Sequence, residues 1–129
     1  MKIKTTELTD AALDGAVAKC LTGGEIFQCG RVAHQVVLHS VSGTTAPYFM
    51  KDSGVIRCAF EPSTNWSQGG PIIERENIAL YPHGDGTYEA EVFLNPKRGV
   101  GPTPLIAAMR CYVASKLGDE VEIPEELAP

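Results

Sequence analysis

Two basic residues and two glycines precede a residue that is well suited to begin a helix. Lys97 and Arg98 are followed by Gly99 and Gly101, and then by Thr103. The first N–H groups of a helix are unpaired and carry partial positive charge, so they favour an anion. Basic side chains and a permissive glycine backbone beside such a helix end predict a phosphate-binding loop. The alternative is that the loop only connects two elements, since it lacks the Walker pattern.

A second group of distinctive residues lies in 62–75, which reads P-S-T-N-W-S-Q-G-G-P-I-I-E-R. Trp66, the only tryptophan, offers an aromatic face that can stack on a base and an indole N–H donor. Amide side chains can read hydrogen-bonding edges, and paired glycines can expose backbone N–H groups to an anion. The residues with these roles are Asn65, Gln68, Gly69 and Gly70. We therefore predict an irregular binding loop here.

The alternative for this segment is purely structural. A single tryptophan is usually buried at least in part, so Trp66 would fill the core. Glu74 and Arg75 would then be solvated or ion-paired. If the segment does bind a ligand, Tyr81 is a second aromatic residue for stacking, and Arg75 and Arg110 are further cations for phosphate.

Catalytic chemistry has little support in the sequence, and we predict no catalytic residues. Ser63 and Ser67 do not lie in a recognised nucleophile turn. His83 and Asp85 lie in the turn P-H-G-D-G, where aspartate and glycine are expected for turn formation alone. Glu74 has no marked partner for general-base catalysis.

A metal site is also not predicted, and neither is any cofactor. A zinc site would have to recruit the residues Cys29, His34, His39 and Cys58. His34 and His39 are five positions apart, and an odd spacing places two side chains on opposite faces of a strand.

Composition and charge narrow the class of protein. A chain of 129 residues predicts one domain, 1–129, that can fold without disulfides or metals. The formal net charge of −5 argues against general nucleic-acid binding, which needs many basic residues. The sequence has no apolar run long enough for a membrane helix, and its first residues lack the features of a secretory signal.

The hydrophobic pattern predicts an α+β fold. Leu13, Val17 and Leu21 repeat at helical spacing in a helix over 9–21, with Thr9 as its cap. Residues 31–41 and 54–60 read as strands separated by a turn at 42–47. A hairpin is predicted from 77–81 and 87–94, and a loop from 95–102. The predicted inward face of its second strand consists of Tyr88, Ala90, Val92 and Leu94, whereas Glu89 and Glu91 face water.

The best-specified element is a second helix near the end of the sequence. Thr103 is its predicted cap, Pro104 suits the first helical position, and Gly118 ends it. We expect this helix to pack on one face of an antiparallel sheet of about four strands. Val121 and Ile123 predict a short edge strand within an acidic tail, 119–129, whose last residues we expect to be loosely held.

Three blocks of the sequence resemble the NinX-like family of small tailed-phage proteins. They read E-L-T-D-A-A-L-D-G-A-V-A-K, P-S-T-N-W-S-Q-G-G-P-I-I-E-R-E-N-I and G-P-T-P-L-I-A-A-M-R-C-Y-V-A-S-K-L-G-D-E-V-E-I-P. The resemblance covers both ends and 62–82, but 24–60 does not share it. It implies a phage-encoded protein acting in the host bacterial cytoplasm, and it implies no activity or catalytic residues.

Three hypotheses follow for the function. The first is a non-catalytic binder of a small phosphate-bearing ligand, such as an ADP-ribose-like or cyclic nucleotide signal of bacterial anti-phage immunity. Because such proteins often place pockets between subunits, we expect a homo-oligomer. The second is a protein–protein interaction module that acts on a host or phage protein. The third is an enzyme that cleaves a nucleotide.

Overall fold

The computed structural model describes residues 1–22 and 61–123, together with the backbone of two short strand segments, 36–37 and 59–60. The predicted turn at 42–47, the tail residues 124–129, and the four candidate zinc ligands Cys29, His34, His39 and Cys58 lie outside the described residues. The predicted strands 31–41 and 54–60 are described only at 36–37 and 59–60.

The described residues form three α-helices, seven short strands and one 3-10 turn. In chain order these are β1 (Lys2–Lys4), the 3-10 turn (Thr5–Glu7), α1 (Asp10–Thr22), β2 (Val36–Val37), β3 (Ala59–Phe60), α2 (Trp66–Glu76), β4 (Ile78–Pro82), β5 (Tyr88–Val92), β6 (Arg98–Gly101), α3 (Pro104–Leu117) and β7 (Glu120–Glu122). The predicted α+β class, with helices towards both ends, is confirmed. Within the described residues, no helix is both long and apolar enough to span a membrane.

Helix α3 lies at the centre of the core. It begins where the sequence predicts, since the Thr103 hydroxyl accepts a hydrogen bond from the Ile106 N–H at 3.1 Å and Pro104 occupies the first turn. It ends before Gly118, whose φ of 90° is one that side-chain-bearing residues rarely adopt. Its buried residues are Leu105, Ala107, Ala108, Met109, Cys111, Tyr112, Val113 and Ala114. Helix α3 packs against α1 and against all three strands of the sheet β4–β5–β6.

Helix α1 was predicted over 9–21 and spans Asp10–Thr22, so its position is confirmed to within a residue at each end. The predicted apolar residues Leu13, Ala16 and Val17 are fully buried, as is Leu8 just before the helix. The carbonyl of Thr9 accepts from two N–H groups of the first turn. Burial of this face against α3 accounts for the stability of a helix of only thirteen residues.

The predicted hairpin is confirmed as β4 and β5, which pair from Ile78 opposite Val92 to Pro82 opposite Tyr88. The prediction of Leu94 on the buried face is wrong. Strand β5 ends at Val92, and Leu94 lies in the following turn with φ of 61° and 89% of its surface exposed. The turn residue Asn95 donates its N–H to the Val92 carbonyl, which reverses the chain before a further register position can form.

The segment 95–102 was predicted to be a loop, and this is corrected by the presence of β6. Strand β6 pairs antiparallel with β5 and completes the order β4–β5–β6. Glycines weaken a strand on its own, but here they allow contact with a helix. A Cβ at Gly99 would overlap the backbone of Ala107 and Cys111, and one at Gly101 would lie 2.7 Å from the Ile106 Cγ2 atom. The glycines are therefore required for close packing of β6 on α3.

The segment 62–75 was predicted to be irregular, and this is also corrected, because Trp66–Glu76 forms α2. Two glycines and Pro71 oppose a helix locally, at about 1 kcal/mol for each glycine and more for proline. The Asn65 side chain caps the helix and Ile72 is buried in the core. The Asn65 cap and the burial of Ile72 against distant residues therefore stabilise α2. Helix propensity within the segment does not predict either contribution.

Two small antiparallel sheets complete the described structure. The predicted edge strand near Val121 is confirmed as β7, and its partner is β1, with Ile3 opposite Val121. Strands β2 and β3 pair with Val36 opposite Phe60, within the two segments predicted as strands. The described strands thus belong to three sheets of two, two and three strands, rather than to one sheet of about four.

Candidate functional site

Two helices begin at the same cavity. Trp66 is the first residue of α2 and Pro104 is the first residue of α3, and both line a cavity of about 210 Å³. The other residues of its wall are Ser63, Thr64, Thr103, Leu105 and Ile106. We call this the twin-start cavity. The sequence reading placed Trp66 and Thr103 in one site, and the structure does bring them together.

The caps of both helices are made by their own side chains. The Asn65 Oδ1 atom accepts from the Ser67 N–H at 3.0 Å and from the Ser67 hydroxyl at 2.6 Å. Thr103 caps α3 in the same way through Ile106. The N–H groups of Trp66 and Leu105 belong to the first turns, where helix geometry supplies no carbonyl partner. The positive ends of two helix dipoles therefore meet at one cavity, which favours an anion there.

Two side chains add specific chemistry to the twin-start cavity. The Trp66 side chain remains 55% exposed, so its ring is accessible to a ligand rather than filling the core. Ser63 is 1% exposed, and its hydroxyl lies near the Asp14 carboxyl group without completing a hydrogen bond of good geometry within the described residues. An unpaired buried hydroxyl is costly, which makes Ser63 a further candidate contact for an occupant.

Ser63 was weighed in the sequence only as a nucleophile, so its place in this wall was not foreseen. Its N–H donates to the Asp14 Oδ1 atom at 2.9 Å, which ties the turn before α2 to α1. Asp14 is 5% exposed, and burial raises the pKa of its carboxyl group to about 7. Both the side chain and the backbone N–H of Ser63 oppose this shift in pKa, while the nearby carboxylates of Glu61 and Asp10 raise the pKa further.

Two of the predicted contacts beside Trp66 are engaged in the protein itself. Gln68 is 5% exposed, and its Oε1 atom accepts from the Glu61 N–H at 2.6 Å. The Gly69 N–H donates to the Asn65 carbonyl at 2.9 Å, so it is not available for the predicted anion nest. A Cβ at Gly69 would lie 2.5 Å from the Pro62 carbonyl oxygen, whereas Gly70 faces open space.

The predicted basic residues lie away from the twin-start cavity. The Lys97 ammonium bonds to the Asp119 carboxylate at 2.9 Å. The Arg98 guanidinium bonds to Glu91 at 2.8 Å on the outer face of the sheet and lies 3.6 Å from Glu89. These ion pairs are explained by the β5–β6 register, which puts Arg98 opposite Glu91.

Arg98 and Arg110 do share a second cavity, of about 200 Å³, where the 3-10 turn, β6 and α3 meet. The Arg110 side chain donates from Nε to the Leu8 carbonyl at 2.9 Å and from Nη1 to the Val100 carbonyl at 2.7 Å. Partial burial lowers the pKa of its guanidinium below the ordinary value, although the group stays charged at neutral pH.

Tyr81 and Arg75 lie in neither cavity. The Tyr81 hydroxyl donates to the Glu91 carboxylate at 2.6 Å on the outer face of the sheet, and this bond raises the pKa of Tyr81. Tyr81 lines an open hollow with Asn77 and Phe93. Arg75 pairs with the neighbouring Glu76 at 3.0 Å. The eleven residues named from the sequence thus fall into separate places, and only Trp66 and Thr103 share the twin-start cavity.

Metal binding finds no further support in the part of the chain that the structure describes, where no three histidine, cysteine or acidic side chains cluster.

The comparison with protein families gives one clear finding. Residues 4–116 match the model of the family described as bacteriophage P22, NinX. The match includes 24–60, which the three quoted sequence blocks left uncovered. No curated protein matched the chain.

Proposed function

The chain belongs to the bacteriophage P22 NinX family, and on that premise we propose that it is a phage accessory protein that binds a small phosphate-bearing ligand without transforming it. The observation that carries this proposal is the meeting of two helix N-termini in one cavity beside a half-exposed tryptophan. The helix ends attract the phosphate, and the indole ring stacks on the base. The buried Ser63 hydroxyl, which completes no hydrogen bond of good geometry in the described chain, donates to a phosphate oxygen.

The ligand that we propose is a nucleotide signal of bacterial anti-phage immunity, either ADP-ribose-like or cyclic. Tight binding in the host cytoplasm would remove the signal from its receptor, so no catalytic residue is required.

A second subunit would complete the site. Pockets that enclose drug-sized ligands usually measure about 300–1,000 Å³, and the twin-start cavity is smaller, at about 210 Å³. The phosphate would fit in the cavity, while the base on Trp66 would extend beyond it. We propose that a homo-oligomer covers the base, which also explains why so large a side chain is left exposed.

The test is isothermal titration calorimetry and thermal shift with ADP-ribose and a panel of cyclic nucleotides. Saturable binding is expected for at least one, and base stacking worth about 1–3 kcal/mol predicts that Trp66→Ala weakens it at least several-fold. Phe93→Ala is the matched control, because Phe93 is 72% exposed and lies outside this cavity. Absence of any shift in a folded sample would refute ligand binding.

Ser63→Ala separates a binding role from a structural one. The substitution keeps the backbone N–H that bonds to Asp14 and removes the hydroxyl, whose effect on the Asp14 carboxylate is avoided by measuring at pH 6, below the pKa of about 7. At that pH ligand affinity should fall while the melting temperature of the free protein does not. After denaturation, quantitative recovery of the intact nucleotide is expected. Recovery of a cleaved product would favour the nucleotide-cleaving enzyme instead.

A protein–protein interaction module is the second candidate, and the turn after β5 favours it. Phe93 and Leu94 are 72% and 89% exposed, and the φ of 61° at Leu94 is unusual for a bulky residue. A host or phage protein binding here would be lost with the variant Phe93→Ser/Leu94→Ser and kept with Trp66→Ala. A pull-down with both variants distinguishes this module from the ligand binder.

A further inference from the structure

The exposed surface of the second cavity is mostly apolar, although five of its ten lining residues are charged. Gly99 and Val100 of β6 form one side, and Ala114 of α3 forms another. The 3-10 turn contributes Thr5 and Thr6 to the lining. The Thr5 hydroxyl already donates to the Gly118 carbonyl at 2.7 Å, which holds this part of the wall in place. The cavity is therefore shaped by packed elements rather than by a loose surface loop.

Some of the charged residues that line this cavity form ion pairs, and others do not. Arg98 bonds to Glu91 and Asp119 bonds to Lys97, so these two lining residues already have partners. In the described part of the chain, no carboxylate lies within ion-pair distance of Lys4 or Arg110. Two cations without anionic partners thus face one small cavity.

Arg110 is held in position without being neutralised. A guanidinium group has five N–H donors, and Arg110 uses two of them on the carbonyls of Leu8 and Val100. Three donors remain, and they are fixed in space because both carbonyls anchor the same planar group. A preorganised donor set loses less entropy when it binds a planar carboxylate than a free surface lysine does.

The remaining features select the type of anion. Glu120 lines the cavity and lies opposite Lys4 in the β1–β7 register, and Asp119 also lines it. These two carboxylates would repel a dianionic phosphate more strongly than a monoanion. The volume of about 200 Å³ is below the range for drug-sized ligands, and the walls are apolar.

We propose that the second cavity binds a small monocarboxylate with a short apolar body. The carboxylate group contacts the free N–H donors of Arg110 and the Lys4 ammonium, and the body packs against Val100 and Ala114. This site is independent of the ligand at Trp66, and it does not require the proposed nucleotide function to be correct.

The experiment is a ¹⁵N-resolved nuclear magnetic resonance titration of the full chain with sodium butyrate. Saturable shifts are expected at the backbone amides of Thr6, Val100 and Ala114, with little change at Trp66. Parallel titrations use inorganic phosphate and L-2-aminobutyrate. Phosphate should bind more weakly than butyrate at this site, and equal or tighter phosphate binding would overturn the carboxylate assignment.

Two variants test the assigned cations. Arg110→Gln should weaken butyrate binding by about tenfold or more, because it removes hydrogen bonds to a charged group. Since Arg110 also holds two carbonyls, a fold-neutral variant is needed, and Lys4 is exposed at its place in β1. Lys4→Gln should weaken binding roughly two- to fivefold.

Lys19→Gln is the matched control, because it removes the same charge from a residue that does not line the cavity. It should leave the affinity unchanged. Equal losses in Lys4→Gln and Lys19→Gln would show a general charge effect and overturn the site. Shifts that grow linearly with butyrate, without saturation, would overturn it as well.

The titration with L-2-aminobutyrate tests whether the carboxylate of Glu120 contributes to ligand binding. If L-2-aminobutyrate binds at least as well as butyrate, its ammonium group is accepted beside Glu120, and the monocarboxylate assignment extends to amino acids. If butyrate binds and L-2-aminobutyrate does not, the site is restricted to plain carboxylates. In either case the carboxylate contact with Arg110 is supported.

Discussion

Two glycine-bearing segments look alike in the sequence and have different roles in the structure. Gly99 and Gly101 lie in β6, where a Cβ would overlap the backbone or the first side-chain atoms of α3. Gly69 and Gly70 lie in α2, where the first is packed against Pro62 and the second faces open space. The sequence reading treated both pairs as ligand loops. The comparison shows that a glycine in the sequence need not mark a ligand site. Some glycines are required for close packing against residues far away in the chain, and others are not.

The largest expected effect is at Gly99. Gly99→Ala forces a Cβ against the backbone of Ala107 and Cys111, which no side-chain rotation can relieve. Overpacking typically costs about 1–3 kcal/mol, and this backbone contact should lower the free energy of unfolding by about 3 kcal/mol or more. Urea denaturation followed by circular dichroism measures this. A loss below about 1 kcal/mol would show that β6 can move away from α3.

Gly69→Ala is expected to cost less, at about 2 kcal/mol, for a related reason. The new Cβ would lie 2.5 Å from both the Pro62 carbonyl oxygen and the Leu105 Cδ2 atom. The leucine side chain can rotate, but the carbonyl of Pro62 is part of the turn before α2 and yields less easily. The same denaturation measurement applies. If Gly69→Ala proved more damaging than Gly99→Ala, the proposed order of packing would be reversed.

The stability of the turn before α2 also depends on pH. The turn before α2 is anchored by the Asp14 carboxyl, whose pKa of about 7 in the folded protein exceeds the ordinary value of 3.8. A raised pKa means that the folded state binds the proton more tightly, so stability increases as pH falls from about 7 towards 4. Between pH 8 and pH 6 the free energy of unfolding should rise by about 1 kcal/mol.

Asp14→Asn is the control for this effect. An asparagine keeps an oxygen acceptor for the Ser63 N–H but cannot titrate. The difference between pH 6 and pH 8 should therefore shrink by about 1 kcal/mol in the variant. An unchanged pH profile would mean that Asp14 is not the group that titrates in this range.

The smallest effect is expected at Gly70. Gly70 lies within α2 and does not have a positive φ, and beyond its chain neighbours and its own helix a Cβ added there would meet no described atom within 4 Å. Alanine is a better helix former than glycine by about 0.5–1 kcal/mol, but a Cβ directly before Pro71 is disfavoured in the helical conformation. The two effects oppose each other, so Gly70→Ala should change the free energy of unfolding by less than about 1 kcal/mol. Urea denaturation checks this, and a loss as large as that of Gly69→Ala would show that Gly70 is also needed for close packing.

These contrasts explain which features the sequence predicts. Helix α3 is predicted almost to the residue because Thr103, Pro104 and Gly118 are local signals that act within the first and last turns. The β4–β5 hairpin is predicted for the same reason. Helix α2 is missed, because its glycines and Pro71 disfavour a helix locally and its stability comes from burial of residues such as Ile72 against other elements.

The candidate site was predictable only in part. Trp66 and Thr103 were predicted as neighbours and lie in one cavity. Arg98 was predicted beside them but pairs with Glu91, since strand register decides which charges meet. The sequence offered Ser63 only as a nucleophile, because the hydrogen bonding of a buried hydroxyl is visible only when its surroundings are known. Burial and register depend on residues far apart in the chain, and no local pattern encodes them.

The pairing of β1 with β7 has a consequence for synthesis on the ribosome. Lys4 lies opposite Glu120, so strand β1 is made 116 residues before the strand that completes it. At about 5–20 residues per second, β1 waits roughly 6–23 seconds for its partner. During that time Thr5 also lacks its acceptors at Gly118 and Asp119. A nascent chain that stalls before Gly118 therefore exposes an unpaired strand and an open flank of α3 to proteases.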